Sequence, residues 1–210
     1  MKKITSALAA TAAAATLAAG ALAPASAAPS AKPQGDTSLA EVLAADGNRF
    51  DHKSQDFDVL ERAVLAVLKA KPESPVGLLT QGEERATAFL PTDAAFRNLV
   101  LKLTGERPGN ERQTFRQVAA AVDVDTLEAV LLYHVVAGKT LVSEKVVASK
   151  GEPTTTALGA TWTVRVKGGE VRLEDQDTNA RDPRVIALDV NRGNKQVAHA
   201  IDRVLRPIDL

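Results

Sequence analysis

Residues 87–96 read TAFLPTDAAF, a short apolar run that passes through a proline into a helical pattern. The ring of Pro91 disfavours the α region for Leu90, so the sequence predicts that a buried strand ends at Leu90. Thr92 can accept hydrogen bonds from the free N–H groups of the next turn, and Asp93 suits the positive end of a helix dipole. The stretch therefore predicts a strand that leads directly into a helix.

Helical spacing recurs on both sides of this stretch, whereas the last third of the chain alternates like β-structure. Further helices are predicted over residues 38–45, 57–69 and 112–121 and from Asp125 onward, and a short amphipathic turn is predicted near residues 143–148. Strands are predicted over residues 161–173, as a hairpin that turns at Gly168 and Gly169, and over 185–190 and 197–205. Helices first and strands later, without regular βαβ repetition, predict an α+β domain.

Three segments resemble the signature segments of the fasciclin domain family, in that family's order. They are residues 87–96, residues 131–136 (LLYHVV) and residues 197–207 (VAHAIDRVLRP). The resemblance implies a fasciclin-like wedge, in which helices pack on antiparallel or mixed β-sheets. If it holds, we expect Phe89, Phe96 and Ile201 to share one interior.

The N-terminal 27 residues have the three parts of a secretory signal peptide: a charged start, an apolar run and a small-residue cleavage site. We expect cleavage after Ala27, in a leader whose composition is typical of bacterial secretion. Residues 28–36 are predicted to be a disordered linker, and residues 37–207 one fasciclin-like domain. The mature chain is expected to be secreted and extracellular, with cell-wall association left open.

Charge and composition exclude several classes of function. The chain has 26 basic and 26 acidic residues and no basic stripe, which argues against nucleic-acid binding and against tight binding to anionic membranes. Its N-terminal apolar run is mostly alanine and ends in Pro24, so stable membrane insertion is not expected. No cysteine is present, which rules out disulfides and thiol catalysis.

No linear catalytic motif occurs, so we expect neither an enzyme nor a cofactor. The histidines His52, His134 and His199 lack metal-ligand spacing, and the last two are expected to be partly buried and bonded to carbonyl groups. Residues 175–179 (DQDTN) begin like a calcium loop, but Ala180 and Ile186 stand where that loop needs glycine and glutamate. We therefore predict a solvated acidic turn there, and no metal site.

Candidate binding residues come from the resemblance alone. Tyr133 and His134 match the family's Tyr-His segment, which some animal members use for integrin binding, although Tyr133 could instead pack its ring inside the fold. Asp189 and Val190 fall where some members carry an Asp-Ile pair used in adhesion. On this basis Asp189→Ala is expected to weaken partner binding without changing the melting temperature, and Tyr133→Ala mainly to lower stability.

The resemblance implies an extracellular adhesion or binding module without enzymatic activity, whose partner is a protein or a cell-surface polysaccharide. Two alternatives stay open at this point. One is a protein with a pocket for a lipid or another small molecule, and the other is an unrecognised extracellular hydrolase.

Overall fold

The computed structural model of the protein describes residues 35–208, except residues 48 and 52. The predicted signal peptide, residues 28–34 of the predicted linker, and His52 lie outside the described residues. Within them are six α-helices: α1 Leu39–Leu43, α2 Asp58–Ala70, α3 Asp93–Thr104, α4 Glu111–Ala121, α5 Val124–Tyr133 and α6 Ser143–Ala148. The strands are β1 Ala86–Pro91, β2 Val135–Ala137, β3 Pro153–Thr155, β4 Thr161–Lys167, β5 Glu170–Glu174, β6 Val185–Val190 and β7 Gln196–Ile201. Short 3-10 helices span Ala44–Asp46 and Pro75–Thr80.

The helix starts follow from capping side chains. The Ser38 hydroxyl accepts a hydrogen bond from the Glu41 N–H while the Glu41 carboxylate accepts one from the Ser38 N–H, which confirms the capping box before α1. Thr92 caps α3 by accepting a hydrogen bond from the Ala95 N–H. The predicted start of α5 at Asp125 is wrong, because Asp123 lies two residues earlier and its carboxylate accepts the N–H of Thr126.

Two sheets confirm the α+β class. The larger has the strand order β2-β1-β7-β6, with β1 parallel to β7 and the other two pairs antiparallel. The smaller is an antiparallel sheet in the order β3-β4-β5. β1 runs one residue beyond the predicted end, since Pro91 pairs with Ile201 at the last position of the strand, where an extended proline is tolerated.

The buried side chains form two clusters rather than one. Ala88 and Leu90 belong to a cluster with the helices, whereas Phe89 between them belongs to a second cluster with Trp162. Side chains alternate between the two faces of a strand, so β1 contributes to both clusters. The expectation of one shared interior is therefore wrong: Phe96 lies in the first cluster, and Phe89 and Ile201 lie in the second.

Within residues 35–208, leaving aside 48 and 52, no helix is both long and apolar enough to span a bilayer.

Candidate functional site

Tyr133 and His134 lie at the end of α5 and are buried. Tyr133 is 0% exposed, and its hydroxyl donates a hydrogen bond to the carbonyl of Thr161 at 2.8 Å. Burial is also the main cause that raises the pKa of the Tyr133 phenol. This is the packing alternative predicted for Tyr133, and it leaves no part of the ring at the surface for a partner.

His134 forms hydrogen bonds with three parts of the chain. Its Nδ1 lies 2.7 Å from the Val130 carbonyl and its Nε2 accepts the N–H of Leu205 at 2.9 Å, so the proton sits on Nδ1. The Phe89 N–H donates to the His134 carbonyl at 2.9 Å. Burial lowers the pKa of the imidazole to about 4, outweighing the hydrogen bond to Val130. His134 is therefore a neutral structural residue that joins α5, β1 and the closing segment.

Asp189 lies at the end of β6, where that strand is irregular. The register between β6 and β7 shifts twice, and Asp189 has a φ of 60°, in the left-handed region where Asp is one of the tolerated residues. Its N–H donates to Nδ1 of His199 at 3.2 Å, and Nε2 of that ring lies 2.8 Å from the Leu141 carbonyl. The register shifts and the left-handed backbone at Asp189 thus direct the Asp189 side chain toward α6.

The Asp189 carboxylate caps α6. One oxygen accepts the N–H of Ser143 at 2.7 Å, and the other accepts the Ser143 hydroxyl at 2.6 Å. Val142, the residue before α6, makes no capping bond of its own. Arg192 adds an ion pair at 2.6 Å and also reaches Glu144. The Asp189 side chain is only 12% exposed, so its main contacts are internal.

The electrostatics at Asp189 agree with this role. Partial burial alone would raise the pKa of its carboxyl, but the hydrogen bonds from Ser143 and the charge of Arg192 outweigh burial and lower that pKa. Asp189 is therefore ionised at neutral pH and held in place. Val190, the next residue, is half-buried and packs against the first core cluster.

The exposed part of this region is β6 itself. As the edge strand of the larger sheet, it carries Ile186 and Leu188, which are 39% and 46% exposed. They border a cavity of about 410 Å³, which we call the β6 groove. Its lining residues are Gly169, Glu170, Val171, Arg184, Val185, Ile186 and Leu188. Glu170 and Arg184 are paired at 3.1 Å, so the groove offers an apolar surface beside a compensated charge pair.

Two internal anchors were not predicted from the sequence. Gln196 is fully buried, and its amide accepts the Leu39 N–H at 2.9 Å and donates to the carbonyls of Leu78 and Gln81.

The predicted solvated acidic turn is wrong, because Asp177 is 2% exposed and lies 2.6 Å from the guanidinium of the buried Arg206. A guanidinium already occupies the position beside Asp177 that a cation would take.

Ser143, His199 and Asp189 lie together, yet their arrangement is not that of a hydrolytic triad. The Ser143 hydroxyl donates to the carboxylate, whereas a triad serine donates to the imidazole. Both ring nitrogens of His199 are used by backbone groups. The imidazole therefore has no free nitrogen with which to accept the Ser143 proton.

Comparison with known proteins agrees with this architecture. The solved structure of a FAS1 domain pair from the insect cell adhesion molecule Fasciclin I matches the fold with a TM-score of 0.56 at 16% sequence identity. The match covers 82% of this chain and 51% of that one, so the chain spans about half the length of its structural neighbour. No curated protein matches the chain. The family model for the fasciclin domain matches residues 64–207, more than half of the sequence, and the chain therefore belongs to the fasciclin domain family.

Proposed function

We propose that this protein is a secreted, non-enzymatic binding module of the adhesion type, which takes up its partner at the β6 groove. The observation that carries the proposal is the pair of exposed aliphatic side chains, Ile186 and Leu188, on an edge strand. In this proposal residues 1–27 direct export and are cleaved after Ala27. An intact mass of the protein from culture medium that begins at Ala28 would support that cleavage.

The partner class favoured by this surface is an extended segment of an extracellular protein. An edge strand can add a further strand through its backbone groups, while pockets beside it select side chains. Ile186 and Leu188, with Val171 across the groove, would accept aliphatic side chains of the added strand. A cell-surface polysaccharide is the competing partner class.

The four residues suggested by the resemblance act in this proposal by holding the surface in place. Asp189 and Val190 fix the end of β6 against α6 and the core, and Tyr133 and His134 fix the end of α5. A rigid scaffold lowers the ordering cost when a partner binds. Their substitution is expected to weaken binding through loss of structure.

The absence of turnover in the proposal rests on the arrangement beside Asp189. Burial is the main cause that lowers the pKa of His199, so its imidazole is neutral at neutral pH. Both ring nitrogens are already hydrogen-bonded to backbone groups. A general base needs a free acceptor within hydrogen-bond reach of the proton that it removes.

The experiment measures binding of the labelled, secreted protein to the cell envelope of the source organism. We expect the double variant Ile186→Ser, Leu188→Ser to lose at least about tenfold in affinity, because both anchors of the groove become polar. The matched control is Leu101→Ser, Val124→Ser, which removes aliphatic side chains of similar exposure, 36% and 39%, from α3 and α5.

The arms of this experiment separate the partner classes. Protease treatment of the envelope should abolish binding if the partner is a protein, and glycoside hydrolases should leave it intact. Binding that survives in the double serine variant but falls in the control would contradict the assignment of the groove.

A second candidate function is small-molecule binding, favoured by a cavity of about 510 Å³ between α1 and α2. Apolar side chains, among them Leu43, Val64 and Leu68, line it together with the acids Asp36 and Glu83. Cavities of this volume hold drug-sized ligands. Native mass spectrometry of the protein taken directly from its secretion medium tests this candidate: a retained small ligand supports it, and a bare chain speaks against it.

A further inference from the structure

Three carboxylates meet where α2 and α3 begin. Asp58 is the first residue of α2, Asp93 is the first residue of α3, and Asp56 lies in the loop before α2. One carboxylate oxygen from each lies within 4.8 Å of the others. Asp56 also belongs to a second such group with Asp51 and Glu111. Asp93 comes from a segment distant in sequence from Asp56 and Asp58, so no linear motif reveals the cluster.

Two of these residues, Asp93 and Asp56, have buried oxygens that lack a donor among the residues that the structure describes. Asp93 is 0% exposed; its Oδ1 accepts the Val59 N–H at 2.9 Å, but no described group donates to its Oδ2. No described N–H or hydroxyl donates to the buried carboxylate oxygens of Asp56 either. A buried polar atom without a partner is costly and calls for an explanation such as an ion.

We propose that Asp56, Asp58 and Asp93 bind one hard divalent cation of the calcium type. Oxygen ligands at the usual Ca²⁺–O distance of about 2.3–2.6 Å are at most about 5 Å apart across the ion, which accommodates the separations in the cluster. Calcium also tolerates irregular coordination, which suits ligands supplied by a loop and two helix starts, with water at the remaining positions. The ion would supply the missing partners of Asp56 and of Asp93 Oδ2.

The cluster carries an excess of negative charge, because carboxylate oxygens of three aspartates lie within 4.8 Å of one another. The positive ends of α2 and α3 offset part of the charge. A bound proton is thus the competitor of the cation, and the two differ in their response to calcium.

The test is thermal unfolding of the secreted chain, stripped with EDTA, in about 10 mM CaCl₂ against NaCl of equal ionic strength. We expect CaCl₂ to raise the Tm by at least about 4 °C. Equilibrium dialysis of the unchanged chain should find one calcium ion bound. No calcium-specific rise in Tm, or no bound ion, would overturn the proposal.

Variants identify which carboxylates are needed for the calcium-dependent rise in Tm. Asp56→Asn and Asp93→Asn should each remove most of the calcium-dependent rise; Asp93→Asn keeps an oxygen that can accept the Val59 N–H. Asp56 is only half-buried, so its variant keeps the test usable if Asp93→Asn does not fold. The control is Asp125→Asn, an acid on α5 whose side chain is 84% exposed, and it should retain the full rise. An undiminished rise in Asp56→Asn would overturn the assignment.

Discussion

Replacing Asp189 by alanine separates a capping role from an exposed adhesive one. The sequence suggested a loop carboxylate whose loss leaves melting unchanged, but the carboxylate is largely buried and bonds twice to Ser143. Hydrogen bonds to a charged group contribute about 1.5–3 kcal/mol, and alanine at a φ of 60° adds about 1–2 kcal/mol of strain. The pair with the half-exposed Arg192 adds at most about 1 kcal/mol.

We therefore expect Asp189→Ala to lower the free energy of unfolding by about 2.5–6 kcal/mol. For a domain of this size that corresponds to a fall in Tm of about 5–24 °C. Urea unfolding followed by circular dichroism measures the change. Asp189→Asn is the matched control, because its side-chain oxygen can still accept the Ser143 N–H and asparagine tolerates a positive φ; it should lose less than half as much. A free energy for Asp189→Ala within about 0.5 kcal/mol of the unchanged chain would refute the capping role.

The other predictions concern buried polar groups. Because the pKa of His134 is lowered to about 4, its neutral form stabilises the fold fully above the unfolded pKa of about 6.5, and this contribution is lost as the pH falls toward 4. The gap in unfolding free energy between the unchanged chain and His134→Asn should thus shrink by about 2–3 kcal/mol from about pH 7.5 to 4.5 in urea titrations; a constant gap would show that the imidazole does not protonate on unfolding. Tyr133→Phe should cost about 0.5–1.5 kcal/mol in the same assay, since the Thr161 carbonyl loses one of its two donors and keeps the Gln176 amide, and no loss would contradict that bond. Arg206→Met should cost about 3 kcal/mol by leaving the buried Asp177 with only Lys102, 4.0 Å away, as a cationic partner, whereas a stability unchanged at neutral pH would show that the pair with Arg206 contributes nothing.

Local features of the fold could be predicted from the sequence because they depend on neighbouring residues. Thr92 caps α3, Ser38 and Glu41 form a capping box, and Gly168 and Gly169, both with positive φ, turn the β4–β5 hairpin. Each depends on side chains or backbone angles within a few positions. The order of the helical and strand patterns then predicts the α+β class.

Features that depend on distant pairing could not be predicted in this way. The parallel pairing of β1 with β7 joins Ala86 to Gln196, and it divides the buried side chains between two clusters. β2 has three residues, too few for an alternating pattern to be recognised.

The same limit applies to the site. Asp189 was identified by resemblance, but its hydrogen-bond partner Ser143 lies 46 residues earlier. Nothing in the sequence alone therefore indicated that this carboxylate caps a helix. The carboxylate cluster joins Asp56 and Asp58 with Asp93 across two helix starts. Only the assembled fold brings such groups together.

Hydrogen exchange on the complex with the captured envelope partner tests the central claim, binding at the β6 groove, most directly. We predict that the amides of Val185–Val190 become protected when the partner binds, while those lining the cavity between α1 and α2 exchange as before. Protection confined to α1 and α2, with β6 unchanged, would contradict the claim.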